Sequence, residues 1–104
     1  MTKVLFVCSQ GMSSAIAEKA LLDEAKKEGV DMEAAAVSTQ LVETALDKEN
    51  YDVLLVAPQI KFRFDLMKQY ADAHKIPAVQ IEPMAYSPMG GKKLLAEVKN
   101  ALEK

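Results

Sequence analysis

Lys3–Glu18 reads KVLFVCSQGMSSAIAE, and the order of residue types in it decides the fold. Val4 to Cys8 is an unbroken apolar run, short enough for a buried strand. Ser9, Gln10, Gly11, Met12, Ser13 and Ser14 follow as a loop of small and polar residues, and a helix-forming stretch begins at Ala15. Strand, loop and helix in that order place the loop at the carboxyl end of a strand, where open α/β sheets bind ligands. Cys8, the only cysteine in the chain, stands at the mouth of this loop. There its sulfur is expected to face free backbone N–H groups and the positive end of the helix dipole. Such a place favours a thiolate, and then a phosphate on the same sulfur. Gly11 permits the close backbone approach that an amide cradle needs. The expectation is a phosphoryl-carrying Cys8, with Ser9, Gln10, Gly11, Met12, Ser13 and Ser14 as phosphate-binding residues. The competing reading is a buried structural thiol.

Outward from this stretch, strand and helix patterns alternate to the end of the chain. The first helix is expected over Ser14 to Glu28, with Ile16, Ala17, Ala20, Leu21 and Ala25 inward and Gly29 ending it. Met32–Val37 reads as a strand. Ser38 and Thr39 then offer N-caps for a short helix through Lys48, with Leu41, Val42, Ala45 and Leu46 inward. Asp52–Ala57 is the second strongly apolar strand, stopped by Pro58; Lys61 to Ala73 reads as helix. Ala78–Ile81 is a last strand. Beyond Gly90-Gly91 a final helix runs from Lys92 to Leu102, with Leu94, Leu95, Val98, Ala101 and Leu102 inward. Alternating βα units imply a parallel sheet with helices on both faces, a three-layer α/β/α sandwich. The fully apolar first and third strands belong in the centre and the mixed second and fourth at the edges, giving the order 2-1-3-4. The sheet then reverses direction between strands 1 and 3, and Cys8 sits at that switch point.

Composition bounds the function. A chain of 104 residues is read as one domain, residues 1–104. A single cysteine excludes an internal disulfide and a Cys-rich zinc site, and fits a reducing cytoplasm. A net charge of −2 and a pI near 5.4 argue against a general nucleic-acid binder. No apolar run approaches the roughly 20 residues that cross a bilayer. The short run behind a lone lysine is not a signal peptide, so any link to a membrane is expected to come through a partner. No Asp/Glu/His cluster suggests a metal and no Gly-rich motif suggests a nucleotide, so no cofactor is expected.

The opening strand, Cys8 and the Ile16-Ala17-Glu18 that follows the loop resemble the low-molecular-weight tyrosine phosphatases. Those enzymes carry an arginine and a serine where this chain has Ser14 and Ala15. The arginine clamps the transferring phosphoryl group in two hydrogen bonds. Their late-loop aspartate, the general acid, has only Glu82-Pro83 as a counterpart here. A phosphocysteine lacking clamp and acid hydrolyses slowly, which suits a carrier. A phosphatase or arsenate-reductase-like enzyme is the alternative, although arsenate reductases use further cysteines. A regulatory module with a structural cysteine is a third reading.

Three stretches in order closely resemble the enzyme IIB components of the bacterial phosphotransferase system, in the lactose/cellobiose/chitobiose family. They are Cys8–Ser14, Leu54-Leu55-Val56-Ala57-Pro58-Gln59-Ile60, and Ile76–Ile81 running on to Tyr86. Ser87 follows that tyrosine where the family often has glycine, a departure confined to local loop geometry. The resemblance implies a relay: the phosphohistidine of a IIA protein donates to Cys8, and Cys8 donates to a disaccharide held by a membrane IIC permease during uptake. It implies a cytoplasmic protein that meets the inner face of the membrane through IIC. It leaves cellobiose, lactose, chitobiose and other β-glucosides open as the sugar, with a cellobiose-type one taken as the expectation.

Several further residues bear on partners. Gln59 is placed beside the cysteine loop, to hydrogen-bond it or to serve as a turn residue. Lys61 and Arg63 are either phosphate-facing or simply solvated. Phe62 and Tyr86, with Met12, Met84 and Met89, form an expected apolar docking patch around Cys8. Phe64 is assigned to the roof of the core. His74 is expected as an exposed helix C-cap, far from the site.

Overall fold

The computed structural model describes residues 2–8, 15–86 and 89–102. Its elements in chain order are β1 (Thr2–Cys8), α1 (Ala15–Lys27), β2 (Met32–Ser38), α2 (Val42–Lys48) and β3 (Val53–Val56). A 3-10 segment (Pro58–Arg63), α3 (Phe64–Ala73), β4 (Ala78–Gln80) and α4 (Gly91–Leu102) complete it. The four strands form one sheet in the order β2-β1-β3-β4, and all three pairings are parallel. The expected topology is the observed one.

Two apolar layers hold the helices to the sheet. Val4 and Phe6 of β1, with Val53 and Leu55 of β3, face α1 and α4 and pack with Leu21, Leu94, Leu95 and Val98. Leu5 and Val7, with Leu54 and Val56, face α2 and α3 and pack with Val42, Leu46, Met67 and Ala71. The central strands are apolar on both faces because each face is covered, and every residue from Val4 to Cys8 and from Val53 to Ala57 is buried.

The helix ends differ from expectation where the sheet takes residues first. Ser38 pairs with Cys8 as the last step of the β1–β2 ladder, so it is strand rather than cap. The helix that follows starts only at Val42, behind Leu41, with no side-chain cap. The expected helix from Lys61 begins as a 3-10 segment at Pro58, kinked at Ile60 (φ −117°, ψ 26°), and becomes α-helical only from Phe64. Pro58 ends the strand and suits a first helical position, having no N–H to lose.

Three residues expected inside are outside. Ile16, Leu41 and Leu102 are exposed. Ala17, Leu21 and Ala25 form the buried stripe of α1, and Ile16 sits one step, about 100°, off it. Leu41 lies ahead of its helix, and Leu102 stands at the last turn of α4.

Candidate functional site

Cys8 is the last residue of β1, held on both sides by the ends of neighbouring strands. Its carbonyl accepts the Thr39 N–H at 3.1 Å, and the carbonyl of Val7 accepts the Ala57 N–H at 2.9 Å. β1 lies between β2 and β3, so chain direction across the sheet reverses beside Cys8. The thiol is buried in the same cluster as Val7, Ala57 and Ile60. The six expected phosphate-binding residues, Ser9 to Ser14, lie outside the described residues. α1 begins at Ala15, so its amino end is at the carboxyl end of the sheet. Glu18, in the first turn of α1, is partly buried, and burial pushes its carboxyl above the usual range.

The connection after β3 passes next to this position. Ile60 folds under as a buried anchor, its N–H donating to the Ala57 carbonyl at 3.1 Å. Gln59 is exposed on the same turn. Lys61, Phe62 and Arg63 are exposed as well, and the Arg63 guanidinium lies 5.6 Å from the centre of the Phe62 ring. Phe64 turns inward against the α2/α3 layer, as expected. Tyr86 is half-buried and packs against both layers, closing the sheet's carboxyl end.

Beyond the strand ends the chain leaves large apolar side chains in solvent. Phe62 is 76 % exposed, Met84 77 %, Met89 94 %, Ile16 59 % and Leu41 55 %. All five stand in connections or first turns that follow a strand, and Met89, expected near Cys8, lies instead along α1 beside Ala20, Asp23 and Lys27. Ile16 and Leu41 are members of this rim that sequence reading assigned to the core. For Ile16 the available signal was its helical phase, one step off the Ala17/Leu21/Ala25 stripe, and for Leu41 its place three residues after β2. Met12 lies outside the described residues.

Glu82, the nearest counterpart of a phosphatase general acid, is engaged elsewhere. Its carboxylate accepts a 2.6 Å hydrogen bond from Lys93 Nζ, which in turn raises the Lys93 ammonium above its usual range. His74 caps α3 as expected, away from Cys8, with Nδ1–H donating to Tyr70 O at 3.0 Å and Nε2 meeting Asp47 Oδ1 at 2.8 Å. Among the described residues no group of three or more His, Cys, Asp or Glu could hold a metal. A cavity of about 560 Å³ lies at the opposite end, beside Ile76, Pro77 and Asn100, and includes none of the candidate residues.

The fold defines a parallel α/β protein with a buried cysteine at the switch point of its sheet. Residues 3–97 match the family model for the PTS system lactose/cellobiose specific IIB subunit. The oligo-beta-mannoside-specific EIIB component of Bacillus subtilis (strain 168) is 31 % identical over 93 residues, spanning 89 % of this chain and 88 % of that protein. The cellobiose-specific EIIB component of Lactococcus lactis subsp. lactis (strain IL1403) is 28 % identical over 102 residues, 95 % and 94 % of the two chains. The solution structure of a cellobiose-specific phosphotransferase IIB component from Borrelia burgdorferi superposes with a TM-score of 0.76 at 26 % identity, covering 98 % of this chain and 92 % of that one. A lactose-specific IIB domain from Streptococcus pneumoniae gives 0.76 at 24 % identity, covering 92 % and 96 %, a likeness of fold. The chain belongs to the lactose/cellobiose-specific IIB family of the phosphotransferase system, and is a phosphotransferase component of sugar transport.

Proposed function

We propose that Cys8 is the phosphoryl carrier. Its thiolate attacks the phosphorus of a phosphohistidine on a IIA protein; the S–P bond forms as the donor's N–P bond breaks. A hydroxyl of a disaccharide held by a membrane IIC permease then attacks the same phosphorus. The O–P bond forms, the hydroxyl proton leaves, and the thiolate departs. Phosphoryl transfer asks chiefly for positioning and charge stabilisation, which Ser9, Gln10, Gly11, Met12, Ser13 and Ser14 are proposed to supply. Residues 1–104 act as a single IIB domain in the cytoplasm, reaching the membrane's inner face only through IIC.

The observation that carries this reading is the placement of Cys8 at the switch point of the sheet; the exposed Phe62 and Met84 are proposed to serve partner docking. Gln59, Phe62 and Tyr86 are assigned to partner contact. A cellobiose-type sugar is proposed, since relatives named for cellobiose match nearly the whole chain. The phosphatase alternative loses support from Ser14 in place of the clamping arginine and from the Glu82–Lys93 pair.

Intact mass after incubation with phosphoenolpyruvate, the general phosphotransferase proteins and a cellobiose-type IIA protein tests the proposal. The wild type is expected to gain one phosphate and the Cys8→Ser variant none. An unmodified wild type beside an active donor would return Cys8 to a structural role.

A further inference from the structure

The end of β4 carries a polar arrangement that packing does not require. Gln80 is half-buried on this edge strand, in register with Val56. Its Nε2 lies 3.2 Å from Val56 O, 3.3 Å from Ala57 O and 3.2 Å from Ile81 O. Carbonyl oxygens only accept, so the atom at their focus is the amide nitrogen, with two hydrogens shared among three acceptors. That orientation leaves Gln80 Oε1 buried with no donor among the described residues. An apolar side chain of the same length would fill the place with no stranded acceptor.

Nor do the carbonyls themselves demand the glutamine. Val56 O already accepts the Ile81 N–H at 2.9 Å, and Ala57 O accepts the Ile60 N–H at 3.1 Å. What the amide adds is a clip. It fixes the end of β4 to the end of β3 and to the turn that leads into Pro58 and Gln59. Ala57 is in turn bonded through its N–H to Val7 O at 2.9 Å, the residue before Cys8.

We propose that Gln80 is a positioning residue for phosphoryl transfer: its amide, acting through Ala57, holds the β3 connection in place beside Cys8. This rests on the reading of Cys8 as the carrier. The stranded Oε1 is the consequence of directing both hydrogens at the connection.

The test compares the full-length wild type with Gln80→Met, which keeps the side-chain length and removes both the donors and the orphaned acceptor. Gln80→Leu serves if the first variant does not fold. Each is assayed for thermal midpoint and for the rate of phosphate uptake against the concentration of phosphorylated cellobiose-type IIA. Positioning predicts an unchanged or higher midpoint, an unchanged KM and a kcat lower by about tenfold, the scale of one lost hydrogen bond. A kcat equal to wild type, or one that falls only together with the midpoint, would overturn the positioning role. Wild type that takes no phosphate on Cys8 defeats the carrier reading itself, and this inference with it. Labelled wild type matched by the variant defeats the inference alone.

Discussion

His74 shows how one side chain can join two helices. Its ring bridges the last turn of α3, through Tyr70 O, and α2, through Asp47. The hydrogen bond to Tyr70 O, and after it the one to Asp47, raises the imidazole above its usual 6.5. The folded state binds this proton more tightly than the unfolded chain. The contribution to stability is therefore full below about pH 6.5 and is lost as pH rises through the higher folded value. The His74 ring resonances are expected to titrate with a midpoint above 6.5. Asp47→Asn should lower that midpoint without returning it to 6.5, because the Tyr70 bond is the larger cause and remains. A midpoint at or below 6.5 in the wild type would refute the bridge. On the carrier reading proposed for Cys8, His74→Ala is expected to leave phosphate uptake unchanged, since the ring sits at the other end of the sheet.

Among the elements, the crossing of α1 and α4 sets the tightest tolerance. A Cβ on Gly91 would stand 2.2 Å from the Ala20 carbonyl oxygen, and one on Gly90 would stand 2.2 Å from that of Ala85. Both obstacles are backbone: at Gly91 the two helices would have to move apart, and at Gly90 the connection before α4 would have to open. Gly91→Ala is expected to cost about 1–3 kcal/mol, read as a lower urea midpoint. Gly29 meets nothing within 4 Å, but its φ of +72° is a left-handed C-cap conformation. Gly29→Ala is therefore expected to cost about 1 kcal/mol, through strain rather than overlap. A Gly91→Ala variant with the urea midpoint of wild type would argue against the close crossing. Lys99 and Glu28, paired at 3.0 Å across the same two helices, are largely exposed and add little.

At the scale of the molecule, parallel connectivity explains why the rim exists. Each strand points the same way, so every strand-to-helix connection emerges at one end, and the apolar side chains in those connections gather there. The opposite end carries the paired charges Lys3–Glu49 and His74–Asp47. On the carrier reading proposed for Cys8, its partners dock on the carboxyl end of the sheet. Phe62→Ala combined with Met84→Ala is expected to raise the KM for phosphorylated IIA several-fold while leaving kcat and the thermal midpoint near wild type. Both side chains are exposed by three quarters or more, so the core loses nothing. A change in the midpoint instead of the KM would assign them to folding.

The sequence by itself determined the class of fold, the strand order and the place of Cys8. Two runs apolar on every residue, Val4–Cys8 and Val53–Ala57, demand cover on both faces, and alternating helices supply it in only a few ways. Family membership was legible in the same residues, because the cysteine loop and the stretch through Pro58-Gln59 are local in sequence. Tertiary structure alone decided what local pattern leaves free. Leu41 is as apolar as its buried neighbours, and it is in solvent because β2 runs on through Ser38 and the helix starts only at Val42. Ser38 is a competent helix cap, but pairing with Cys8 claims it for the strand. Gln80 reads as an ordinary edge-strand residue until three carbonyls from two strands converge on its amide. Glu82 reads as a free acid until Lys93 is folded against it. Each of these depends on groups far apart in the chain, whose meeting no local periodicity encodes.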